Sequence, residues 1–440
     1  MGFVKTIENI WKIEDLRKRL LITFFFVVIY RFGAHVVLPG VNPDALLTLK
    51  ANASGGLLGL LDMFSGGAFA NASIFALGIM PYISASIVIQ LLGMALPYFQ
   101  KLQREGESGR TKMNQYTRYL TVIILLFQGP AYLVGALGNA APNDFFGFLL
   151  PSTIILAGGS MFVLWLGERI TDKGIGNGVS FIILVGIIAR LPHALIGEVT
   201  ARFSSPGGLF IFLAEILILL LIIAGAILLV QGTRRIPVQY AKRVVGNKQY
   251  GGARQYLPLK VNAANVMPII FAQAIMFIPI SIARYSANSD ATGFWASFMD
   301  FTSVPYCVTL ALLIIIFTWF YTAITINPVQ MADELKRNNG FIPGIKPGKK
   351  TADYIDSIMS RITLPGSLFL ALVAILPAFA GSFGVSHEFA QFFGGTSLLI
   401  LVGVVLDTLQ QIESHLLNRH YDGLLKSGRI KGRSGSIAAY

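Results

Sequence analysis

Residue types able to carry covalent chemistry are present in this 440-residue chain, but never at a working spacing. The five histidines, His35, His193, His387, His415 and His420, are scattered, and no Cys/His pattern has metal-ligand spacing. The glycine-rich stretch GIGNGVS at 174–180 lacks the Lys-Ser/Thr that a phosphate-cradling loop needs. The single cysteine, Cys307, opens an apolar run and reads as a small core or lipid-facing residue. No Ser/Lys pair or paired aspartates stand inside an apolar segment. These residues predict no enzyme, no cofactor and no metal, so energy for any work must come from a partner. What remains is physical chemistry of another kind: barriers, hinges and charged surfaces.

The elements that must position such features follow from composition. The chain is 54% hydrophobic and only 13% charged, with a mean hydropathy of +0.65. Soluble domains carry about 25% charged residues, so this composition predicts a polytopic membrane protein. Residues 1–19 are mixed-charge and contain Trp11, unlike a cleavable signal peptide. Hydrophobic length predicts ten spans, near 20–38, 70–97, 119–138, 149–167, 178–198, 209–231, 264–284, 304–326, 364–380 and 391–411. The tail 1–19, the loops 101–118, 168–177, 232–260 and 329–361, and the tail 413–440 hold 5, 5, 2, 7, 6 and 5 Lys/Arg residues, 30 of the 35. Positive residues stay cytoplasmic, which predicts that both termini are inside. The net charge of +13 is largely this signal and needs no nucleic acid to explain it.

One stretch does not fit a simple span. From Leu57 to Pro97 there is a single charge, Asp62, yet Gly66-Gly67, Pro81, Ser84, Ser86 and Gln90 interrupt the run. It is about twice the ~20 residues of one span and too short for two spans with a turn. The basic N-terminus and the basic loop 101–118 lie on one side, so only two crossings separate them. The surplus, about Leu57 to Gly66, must therefore enter from outside and turn back. Non-helical backbone at membrane depth survives only inside protein or against a water-filled cavity. That deduction points to a pore.

Polar groups within the spans are few: Gln90, Asn177, Asn262, Asn265, Gln273 and Thr396, with Asp407 near the inner end of the last span. Arg31 is the one charge deep enough to need a partner. A secondary carrier for a small solute is the alternative from another class. It would show ionisable residues near the midplane, and no such chain of Asp, Glu, His and Lys appears. The loop 232–260 is basic without a single acid, and 329–361 combines a Pro/Gly-rich tip with a helix starting near Thr351. Such polybasic surfaces suit anionic lipid, RNA or an acidic protein face.

The segments MFSGGA, SIFALGIMPYISASIVIQLL, EGESGR, QYTRY, WLGERITDKGIGNGVS, RRIPVQYAKR, LPLKVN, FIPGIKPGKKTADYI and FGGTSLLILVGVVLD resemble the SecY/Sec61-alpha family of protein-translocase channels, in order and to about Arg433. The resemblance implies an all-α polytopic membrane protein of ten transmembrane helices, in two inverted five-helix halves around an hourglass pore, with a re-entrant plug helix. Here these would be a cytoplasmic segment 1–19, a first half 20–198 with the plug at about 57–70, a second half 199–411 containing both long loops, and a tail 412–440. No internal repeat is visible in the residues themselves. The family's members conduct unfolded secretory polypeptides across the bacterial plasma membrane and release membrane segments sideways into the lipid bilayer. Implied partners are SecE and SecG, the SecA ATPase or a translating ribosome, polypeptides bearing signal sequences, and accessory export or insertion factors.

Site residues carry across motif by motif. The resemblance implies a plug from Leu57, Leu58, Leu60, Leu61, Met63, Phe64, Gly66 and Gly67, weakly anchored through small residues such as Ala68, Ala70 and Ala72. The pore ring falls on Ile79, Ile83, Val179, Ile183, Ile270 and Ile400, with Val179 where the family pattern has Ile. Branched apolar side chains there would grip an extended chain and resist wetting when empty. The lateral gate sets Ser84, Ile87 and Gln90 against Asn262, Phe271 and Ile278. Motor or ribosome docking uses Arg234, Arg235, Lys242, Arg243 and Lys346. Lys346 replaces the arginine of the pattern, so the charge stays while the bidentate fork is lost.

Overall fold

The computed structural model describes residues 11, 13–42, 62–137, 142, 144–203, 208–240, 243–245, 248–250, 254–264, 266–273, 275–276 and 303–426. Leu57, Leu58, Leu60, Leu61, Lys242 and Ile278 lie outside them, as do residues 265, 274 and 277–284 of the predicted span 264–284. The described chain is mainly helical. Among the described residues, six helices are long and apolar enough to cross a membrane: Phe146–Lys173, Gly178–Phe203, Gly208–Gln231, Val304–Arg337, Lys349–Ser382 and Ser397–Leu416. The bent pair Met80–Gly93 and Pro97–Gln103, 101° apart, brings the number to seven if it counts as one span. The protein is thus a multi-pass membrane protein.

The chain divides into two compact units. The first comprises 1–53, 60–190 and 404–440. In it α1 (Glu14–Gly33) begins six residues earlier than the predicted span and ends five earlier. The predicted span over 70–97 is helical only as α2 (Met80–Ala95), because residues 65–79 run through turns. α3 (Pro97–Arg104) follows after one residue, and α4 (Glu107–Tyr132) packs along both α2 and α3. α5 (Leu150–Lys173) packs on α1 and α4. α6 (Gly178–Phe203) starts in this unit and crosses into the next. Proline occupies an N-terminal position of α2, α3 and α5, where the missing N–H costs no hydrogen bond.

The second unit comprises 54–59 and 191–403. After α7 (Gly208–Gln231), the loop read as a basic surface folds into strands. β1 (Thr233–Tyr240) pairs antiparallel with β4 (Arg254–Lys260), from Thr233↔Lys260 to Gln239↔Arg254. β2 (Arg243–Val245) and β3 (Lys248–Tyr250) make a second antiparallel pair between them. The mostly helical fold is interrupted only locally at this loop, where alternation of Ile236 and Val238 with Pro237 and Gln239 gives a period of two. α8 (Val304–Thr325) and α9 (Pro328–Arg337) follow, capped by Ser303 and by Asn327, whose side chain accepts from the N–H of Val329 and of Gln330. β5 (Gly340–Phe341) closes the other edge of β1. The unit ends with α10 (Lys349–Ser382), the short α11 (His387–Ala390) and the first part of α12 (Gly395–Lys426), which runs on into the first unit.

Candidate functional site

Residues 62–79 carry the strongest local signature. After one helical turn at 62–64 the backbone runs through successive turns to Met80, and every side chain along it is buried or half-buried. Its backbone groups find side-chain partners rather than a ladder. Tyr30 Oη donates to the Ser65 carbonyl at 3.1 Å, Arg31 Nη1 to Gly66 at 2.8 Å, and Tyr132 Oη to Phe69 at 2.7 Å. Ser65 Oγ accepts from the Phe69 N–H, and Asp62 Oδ1 accepts from the Ala70 N–H at 2.7 Å. The other carboxylate oxygen of Asp62, a side chain 4% exposed, forms an ion pair with Arg190 of α6. Arg31, which the sequence left in need of a partner, thus finds one on this segment. Such satisfaction is what membrane depth requires of irregular backbone.

Gly66 and Gly67 both have positive φ, 66° and 91°, where an L side chain is strained. A Cβ on Gly66 would also sit 2.8 Å from the Cα of Gly186 in α6. The pair is therefore both a bend and a close backbone contact. The expected weak anchoring is not met: Ala68, Ala70 and Ala72 are buried, and the segment is held by an ion pair and several hydrogen bonds to its own unit. Small residues here permit close packing instead of easy departure. Of the expected plug residues, Met63 and Phe64 are buried with Gly66 and Gly67 in this seat.

The expected ring residues fall in both units. In the first, Ile79 immediately precedes α2 and is buried, and Ile83 lies one turn into that helix, half-buried. Val179 and Ile183 stand one turn apart near the start of α6, the first half-buried and the second buried. In the second, Ile270 is half-buried in helical backbone at 267–273, and Ile400 is buried in α12. Of the expected gate residues, Ser84 is half-buried and Ile87 buried on α2, while Gln90 Nε2 donates to Ser86 Oγ at 3.5 Å within the same helix. Asn262 is buried in the turn after β4. Phe271 stacks on Phe317 and meets Tyr321, both on α8, at ring distances of 5.7 and 6.2 Å.

The two long loops share one small core. Ile236, Val238 and Leu259 of the sheet pack with Leu335 of α9, Ile342 after β5, and Ile355 and Met359 of α10. Arg234 and Arg235 are exposed at the start of β1. Arg243 begins β2. Lys346 is exposed at a tip whose Gly344 and Gly348 have positive φ, and its carbonyl accepts from Thr351 Oγ1 at 3.0 Å. The juxtaposition of loops about one hundred residues apart had no sequence signal beyond their shared basic character.

One cluster escaped the sequence reading. Arg202 Nε donates to Glu198 Oε1 at 2.7 Å, and its Nη2 reaches Glu215 Oε1 at 2.5 Å and the Gly384 carbonyl at 2.7 Å. Glu198 Oε2 accepts from the Ser386 N–H at 2.8 Å. Glu198 and Glu215 are almost fully buried, so this group ties α6, α7 and the turn after α10 together. The i, i+4 spacing of Glu198 and Arg202 was the available signal.

The SecY family profile matches residues 73–409. A protein translocase subunit SecY from Mycobacterium bovis is 43% identical, over 97% of this chain and 99% of its own length. Those of Streptomyces galbus and Halalkalibacterium halodurans are 42% and 44% identical, over 94% and 96% of this chain and 98% and 100% of theirs. Among solved structures, a protein-conducting channel superposes with a TM-score of 0.62 at 16% identity, covering 96% of this chain and 95% of that one. The Sec61 channel of a canine ribosome complex gives 0.57 at 16% identity, with the same coverage of each.

Proposed function

This chain belongs to the SecY family, and from that premise we infer that it is the channel subunit of a protein translocase. It conducts unfolded polypeptides through a gated pore and releases membrane segments sideways into lipid. The observation that carries the reading is the irregular buried segment 62–79, helical for only one turn and seated among spanning helices where an ordinary span would be continuous. Nothing in the comparisons supports a small-solute carrier. Ile79, Ile83, Val179, Ile183, Ile270 and Ile400 form the constriction in this reading, and 57–70 the plug. Ser84, Ile87, Gln90, Asn262, Phe271 and Ile278 line the gate.

The shared core of the two loops supports a docking role. A motor pushing on isolated loops would bend them, whereas Arg234, Arg235 and Lys346 project from a packed unit. The sequence places that unit in the cytoplasm by its Lys/Arg content. SecA or a translating ribosome engages it there, with SecE and SecG as companion subunits in a bacterial plasma membrane. A photocrosslinking residue in place of Ile83, with Leu221 on the exposed side of α7 as control, tests the reading on a stalled secretory precursor. Capture at position 83 alone is expected. Precursor that crosses without touching position 83 overturns the ring.

A further inference from the structure

The chain passes from one unit to the other inside two helices, α6 after Arg190 and α12 after Gly403. Each helix is gripped on both sides of that point. In α6, Arg190 is ion-paired with Asp62, and Gly186 lies against the backbone of Gly66. Farther along, Glu198 and Arg202 belong to the buried cluster with Glu215, Gly384 and Ser386. In α12, Leu398, Leu399 and Ile400 are buried, and a Cβ on Gly394, just before the helix, would collide with the Val373 carbonyl of α10. Beyond the crossing, Thr408 Oγ1 would lie 3.2 Å from a Cβ on Gly176, and Gln411 Oε1 accepts from the Gly176 N–H at 2.8 Å. In both helices the grips stand eight residues apart, Arg190 to Glu198 and Ile400 to Thr408. That is about 12 Å along each axis.

Between the grips both helices are weak. Pro192 cannot donate to the Ile188 carbonyl, and its ring crowds that carbonyl. Among 191–197 only Ala194 is buried, so little packing resists a bend there. The glycines tell the same story. A Cβ on Gly178 would collide with the Gly167 carbonyl, and one on Gly186 would sit 2.8 Å from the Phe64 carbonyl, so close packing requires both. A Cβ on Gly197 or Gly403 would meet nothing within 4 Å. Alanine would fit at either position and hold the helix better. No close approach explains these two glycines; a softer helix is what they contribute.

We propose that Pro192 and Gly403 are a pair of joints, at which α6 and α12 bend when a polypeptide enters the channel; this rests on the channel reading above. Each part of a jointed helix moves with the unit that grips it. A division of the chain after residue 198 would put the joint between α6 and α7 instead. Arg202 opposes movement there, since it binds Glu198 on α6 and Glu215 on α7 at once.

The test uses the full chain assembled with its partner subunits in lipid nanodiscs. Spin labels stand at Ile154→Cys on α5 and Leu221→Cys on α7, both exposed, in a Cys307→Ser background. Double electron–electron resonance reads the distance between them, idle and with a stalled secretory precursor. The parent should shift its distance distribution when the precursor engages. Pro192→Ala combined with Gly403→Ala should lose that shift. Amide exchange over 401–405 should also slow about fivefold, the factor between glycine and alanine in a helix. Gly158→Ala, at a helical glycine in equally open space on α5, should behave as the parent does. A double variant that shifts like the parent overturns the proposal. So does a parent whose distances stay fixed while position 83 captures the precursor, a result that leaves the channel itself standing.

Discussion

The segment 62–79 and the loop core built on β1 and β4 are both irregular insertions between helices, yet they are stabilised by opposite means. In the first, the backbone is held by side chains reaching in from α1, α4 and α6: two tyrosine hydroxyls and two arginines, with Asp62 as the counter-charge. In the second, the backbone satisfies itself through strand pairing, and apolar side chains from distant stretches fill the interior. The solvent decides the difference. At membrane depth apolar burial gains nothing against lipid, so polar satisfaction is the scarce resource. In water the hydrophobic effect is available and a core of seven residues suffices to fold two loops together.

The comparison is sharpest where one side chain carries most of the load. Asp62→Ala removes one partner of a buried pair, a loss on the order of 3–5 kcal/mol. Idle ion leak through the assembled channel in planar bilayers should rise strongly, with the loop core unaffected. Asp62→Ala combined with Arg190→Ala should leak less than the sum of the single changes, since each charge is harmful mainly when left alone. Ile355→Ala empties space in the loop core and should cost about 3 kcal/mol. Hydrogen exchange in β1 and β4 should then accelerate while the idle leak stays at the parental level. Gly66→Ala places a Cβ against Gly186 in a left-handed backbone, at least ~1–2 kcal/mol, and should raise leak by less than Asp62→Ala. Arg235→Gln is exposed and should change stability by under ~0.5 kcal/mol. Its effect should be a weaker, less salt-sensitive association with an acidic docking partner, read by titration across ionic strengths. Equal leak from Asp62→Ala and Ile355→Ala would erase the distinction between the two regions.

The multi-pass helical character was legible because hydrophobic length is a property of contiguous sequence. The surplus between Leu57 and Pro97 betrayed the irregular segment by counting alone. Its boundary was misjudged, since helix α2 starts only at Met80, and glycine-bearing apolar sequence from 65 to 79 looks like a span on a hydropathy scale. The tight anchoring was illegible for another reason. Tyr30, Tyr132 and Arg190 lie on three different helices, and nothing local marks them as partners of residues 62–69. The sheet was missed although Ile236 and Val238 alternate properly, because Arg, Gly and Pro around them suggest a loop. The Glu198–Arg202–Glu215 cluster was missed because each charge stands near a span end, where exposure is the ordinary expectation.

α10 joins these themes in a mechanical way. Its 34 residues measure about 51 Å at 1.5 Å each, against ~30 Å of hydrocarbon. Its first turns contribute Ile355 and Met359 to the loop core, and just past its far end the Gly384 carbonyl is gripped by Arg202. A force applied to the core of the two loops therefore enters a strut clamped at both ends. Pro365 and Pro377 each remove one rung of its hydrogen bonding. Those two points are where such a strut yields first, so they set how far a load applied on one side travels before it is absorbed.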